Sequence, residues 1–165
     1  MLRRSPTGAA VAFSGGTAQG VFMRLALLLT LLPVPTLAWQ FSSVPVCTLA
    51  HEDEGATWVV TYDASRDQPY AIAITLAADA WPEAPVFGIV FAGPRGLSIG
   101  TDRHVRSEAG RTLTVSDTGF GNVLDGLEFN GTATAVAGET AVMVPLDGAA
   151  PQVQAFRACA EGGVA

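Results

Sequence analysis

The chain has 165 residues, of which 49% are apolar, with fifteen acidic residues, nine basic ones that are all arginine, two cysteines and two histidines. That length suits one domain, and the apolar content is too high for disorder. A net charge of −6 leaves no electrostatic basis for gripping nucleic-acid phosphates.

The N-terminal residues read as an address. Met23-Arg24 supplies a positive start, Leu25 to Leu32 an apolar core, Pro33 and Pro35 a helix break, and Thr36-Leu37-Ala38 a small-x-small cleavage site. Residues 23–38 are therefore expected to be a secretory signal peptide, and residues 1–22 a mis-called start or leader extension. The apolar run falls well short of the about 20 residues that a spanning helix needs, so no stable membrane anchor is expected after cleavage. Residues 39–165 are expected to form a single exported β-rich domain. It keeps six arginines against fifteen acids, a balance of −9. The expected location is the periplasm or the exterior.

Two cysteines in an exported chain read as a disulfide, here between Cys47 and Cys159. Closing a loop of ~100 residues is worth about 4.7 kcal/mol of chain entropy, so the bond staples the ends of a small domain together.

From Trp58 onward the pattern has period two. Thr57 to Tyr62 and Tyr70 to Leu76 predict a hairpin, and strands at Val86–Phe91, Leu97–Thr101 and Arg111–Ser116 follow. The stretch from Asp102 to Gly110 reads as polar loop. The period then changes: Asp117 or Thr118 caps a short helix whose Phe120, Val123, Leu124 and Leu127 make one apolar stripe. Thr132–Val136 and Thr140–Val144 predict a second hairpin. A last helix opens at Asp147 or Gly148, with Pro151 in its first turn and Val153, Phe156 and Cys159 on one side. The expected fold class is mostly β (a β-rich α+β chain), an antiparallel meander or small sandwich with two short helices and its ends joined by the disulfide.

Candidate chemistry is sparse. Gly96-Leu97-Ser98-Ile99-Gly100 matches the nucleophile-elbow letters, but it sits in a predicted strand instead of a strand-to-helix turn. Histidine and carboxylate cluster at His51-Glu52-Asp53-Glu54 and at Asp102-Arg103-His104. If the strands carrying them were neighbours, His51, His104 and one of Glu52, Asp53 or Asp102 would supply the three ligands of a catalytic zinc. The alternative is two solvated loops whose acids keep strand edges from mispairing. Gly119-Phe120-Gly121 lacks the spacing of a phosphate-cradling loop and reads as a helix start, and no cofactor is expected. Of three tryptophans, Trp58 is expected in the core, whereas Trp39 and Trp81 are expected to be partly exposed at an interface.

The succession of Trp39, Cys47, a β meander, the segment Gly119-Phe120-Gly121-Asn122-Val123-Leu124-Asp125-Gly126-Leu127, Val144-Pro145-Leu146-Asp147-Gly148 and a last helix with Phe156 and Cys159 resembles a family of short exported proteins of alphaproteobacteria. It is more distantly similar to the invasion-associated locus B group, through the Gly-Phe helix start and the leucine-plus-glycine strand end. The resemblance implies a sandwich-like exported domain linked to the cell envelope, without a defined chemistry. The expected function is a non-enzymatic domain that binds a periplasmic or envelope protein or another envelope component. The alternative is a small exported hydrolase or metal-dependent enzyme using His51 and His104.

Overall fold

The structure, a computed structural model, describes residues 38–162. The expected leader extension, the signal peptide up to residue 37 and the last three residues of the C-terminal tail lie outside the described residues. Among those described, no helix is long and apolar enough to cross a membrane.

Ten strands form two antiparallel sheets. The larger holds β1 (Gln40–Ser42), β2 (Cys47–Glu52), β3 (Ala56–Tyr62), β4 (Tyr70–Leu76), β8 (Thr112–Asp117) and β7 (His104–Ser107), in the order β1-β2-β3-β4-β8-β7. The smaller holds β10 (Thr140–Pro145), β9 (Thr132–Ala137), β5 (Phe87–Ala92) and β6 (Leu97–Thr101), in the order β10-β9-β5-β6. Helix α1 (Gly121–Phe129) follows β8, and α2 (Ala149–Gly162) closes the chain. The expected β-rich class, the two helices and the stapled ends are all present. Of the two architectures expected, the chain takes the sandwich, because it leaves the larger sheet after β4 and returns to it at β7.

Period-two sequence explains the layers. Trp58, Ile72, Ile74, Leu113 and Val115 turn inward from the larger sheet, and Phe87, Ile89 and Phe91 from the smaller. Along β9, Ala137, Ala135 and Ala133 stand opposite Phe87, Ile89 and Phe91 of β5, so small residues sit beside large ones. The two hairpins read from the sequence form as expected, β3 with β4 and β9 with β10. At the second turn Gly138 takes φ 57°, a conformation that a side chain would strain.

Both helices seat their predicted apolar stripes. Phe120, Val123, Leu124 and Leu127 are buried, as are Val153 and Phe156. Neither Asp117 nor Thr118 caps α1: its N-cap residue is Phe120, which makes no side-chain capping bond. Arg157 of α2 clamps α1 by reaching Asp125 at 2.5 Å and Glu128 at 3.1 Å. Cys159 carries the bond back to Cys47 across 112 residues.

The structure corrects the expectation for two tryptophans. Trp39 is 3% exposed, stacked on His51 with its indole N–H on the Pro145 carbonyl at 3.0 Å. Trp81 is 1% exposed, and its indole N–H donates to the Ile74 carbonyl at 3.0 Å. Each flanks a strand in the sequence and looks free there, but in the fold each packs into the buried core. Neither offers an interface.

Candidate functional site

A cleft opens at the end of the sandwich where α1 begins. Ile72 of β4 and Val115 of β8 form one wall, Phe87, Ile89 and Ile99 of the smaller sheet the other, and Phe120 and Val123 of α1 the base. Gly119 and Gly121, both exposed, flank Phe120 at the mouth. A Cβ placed on Gly119 or Gly121 would meet no atom within 4 Å. The cleft volume, about 400 Å³, lies in the range of small-ligand sites.

The rim is polar. Asp102 and Arg103 carry the chain from β6 to β7, and the Arg103 guanidinium bonds the carboxylate of Asp117 at the end of β8. The Arg103 amide donates to the Thr101 hydroxyl at 3.1 Å, and the Thr118 amide donates to Asp117 at 2.7 Å. That amide, foremost, and then Arg103 hold the Asp117 carboxyl below its ordinary range, although partial burial opposes them. Asp117 is therefore an anion at neutral pH, already partnered. The titratable groups of the cleft wall thus neutralise one another, and most of its remaining lining side chains are apolar.

The candidate residues read from the sequence lie elsewhere. Cys47 and Cys159 are joined, as expected. His51 and His104 do not meet: β2 and β7 are separated by three intervening strands, which at about 4.8 Å per step puts the histidines about 19 Å apart along the sheet. One ion cannot bind both. Asp102 is exposed in the turn beside His104, and among the described residues no three His, Cys, Asp or Glu side chains gather for a metal. The reason is topological, since β3, β4 and β8 insert between the two segments that the sequence left free to be neighbours.

His51 itself is 2% exposed, and its two ring nitrogens find no hydrogen-bond partner among the described residues. Burial pushes its pKa below the usual value, while the Asp53 carboxylate, 3.8 Å away, pulls it back in part. Asp53 Oδ1 is held by the amides of Gly55 and Ala56 at 2.7 and 2.9 Å. Ser98 of the elbow-like letters stands exposed in the middle of β6, on a strand as expected.

Sequence reading missed Thr101, Arg103 and Asp117 as neighbours of one cleft. The glycines around Phe120 were visible, but the cleft whose mouth they flank needs the opposite sheet to be seen. Compared with known proteins, the chain matches no family model, no curated protein and no solved structure.

Proposed function

We propose that residues 39–165 form a non-enzymatic binding domain, periplasmic or secreted, that holds an apolar part of a protein or envelope component in the cleft beside α1. The observation that carries this reading is the cleft itself. Seven apolar side chains line a space of about 400 Å³, and the charged groups of its wall, Arg103 and Asp117, are engaged with each other at the rim. Such a surface favours burial of an apolar group. The leader pattern, the disulfide and the resemblance carried by residues 119–127 support an exported, envelope-linked domain.

The test uses the neutral fluorophore phenylnaphthylamine and the oxidised, processed protein. Emission should rise and saturate at one probe per chain. Gly119→Trp, which places an indole at the mouth without meeting a neighbour within 4 Å at its Cβ, should abolish the rise and leave the melting curve in place. Equal binding by both proteins, or none by either, would overturn the proposal.

A further inference from the structure

Strand β6 is an outer strand of the smaller sheet and pairs only with β5 among the described residues. Edge strands are normally blunted by proline, by charge or by short length, because their free backbone groups invite another strand. The other three outer strands carry such devices. β1 has three residues, and β10 ends on Pro145. β7 has four residues, and its Arg106 is engaged by Glu83 at 2.7 Å and by the Trp81 carbonyl at 2.9 Å. β6 has none of these: it reads Leu-Ser-Ile-Gly-Thr, with no charge and no proline.

The same strand borders the cleft. Ile99, Gly100 and Thr101 line it, and Val86, 53% exposed, stands beside Gly100. Two charges bracket the strand. Arg95 stands in the turn before it and Asp102 directly after it. Both are exposed, and neither forms an ion pair within 4.0 Å among the described residues; the Arg95 guanidinium lies over the Phe129 ring, 4.0 Å from its centroid, which leaves its charge unneutralised.

From these features we infer that the occupant of the cleft is a side chain from an extended segment of a partner protein, which adds to β6 as a fifth strand. This rests on the binding function proposed above and names the partner's chemistry. The segment runs antiparallel, as every existing pair in both sheets does. It is uncharged over about five residues and turns one apolar side chain into the cleft. A basic residue towards its N-terminal end faces Asp102, and an acidic residue towards its C-terminal end faces Arg95. Backbone hydrogen bonds supply affinity, the cleft selects the side chain, and the two charges set direction and register.

The experiment measures anisotropy of a labelled peptide, Arg-Thr-Val-Thr-Val-Thr-Glu, with the oxidised, processed protein. Saturable binding is expected. N-methylation of alternate peptide residues should separate into two phases: one weakens binding at least ten-fold, and the other leaves it intact, because only one set of amides faces β6. Exchanging the bracket by Arg95→Glu with Asp102→Arg should weaken the peptide about five-fold and strengthen the charge-reversed peptide, the scale of exposed ion pairs. Equal loss in both methylated phases, or indifference to the exchanged bracket, would overturn strand addition. If phenylnaphthylamine binds and no peptide does, strand addition fails while the cleft's binding role stands. If neither binds, both fail.

Discussion

Gly126 sits inside α1, and replacing it with alanine sets two effects against each other. In an exposed helix the change stabilises by about 1 kcal/mol, because glycine loses more backbone freedom on folding. Here the new Cβ would fall 2.5–2.6 Å from Cδ2, Cε2 and Cζ of Phe91. Phe91 is 2% exposed on the inner face of β5, so its ring cannot swing into solvent. Overpacking of this kind costs about 1–3 kcal/mol, and three sub-contact distances to one rigid ring place it in the upper part of that range. The balance is a loss of about 1–2 kcal/mol, against the sign that helix propensity alone gives. Equilibrium unfolding in urea should show a lower midpoint with an unchanged slope. Shrinking the ring in Phe91→Leu should remove the clash, so that adding Gly126→Ala to that background costs less than in the native one, a positive coupling in a double-mutant cycle. Stabilisation by Gly126→Ala in the native background would refute the close approach of α1 to β5.

Other consequences follow from the same geometry. Replacing both Cys47 and Cys159 with serine frees a loop of 112 residues and should cost about 3–5 kcal/mol, read from denaturant unfolding of the oxidised and variant proteins. Because burial lowers the pKa of His51, the unfolded chain binds the proton more readily than the folded one. Its stability contribution is complete above about pH 6.5 and is lost as pH falls toward the folded pKa, so the midpoint should drop as pH is lowered below about 6.5. His51→Phe, which keeps a ring against Trp39, should flatten that drop, and an unaltered pH slope would refute the assignment. Trp39→Ala removes a buried indole and its bond to Pro145 and should cost about 3–5 kcal/mol, with loss of blue-shifted emission. Zinc should not raise the melting temperature through His51 and His104 jointly; a rise abolished by either His51→Ala or His104→Ala would contradict the strand order.

Where local periodicity was strong, the elements were legible in the chain. Thr57–Tyr62 and Tyr70–Leu76 alternate cleanly and became β3 and β4, and the stripe Phe120, Val123, Leu124 and Leu127 became the buried face of α1. Three strands escaped notice. β1 is only three residues long, and β7 reads His-Val-Arg-Ser inside a polar stretch. β2 buries Cys47, Leu49 and His51, but it ends among acids that read as loop. Short or polar strands carry little intrinsic signal, since their stability comes from partners on either side.

The β-rich class, the two helices, the apolar stripes and the bond between Cys47 and Cys159 were readable from the chain, because period, composition and a count of two cysteines are local or forced. Which strands are neighbours emerged only in the folded sandwich. That order buried Trp39 and Trp81, kept His51 and His104 apart, and brought Arg103 to Asp117 at the mouth of a cleft that no single segment contains. Pairing between distant strands depends on how two sheets fill the space between them, and side-chain volume in one sheet is matched only by residues in the other.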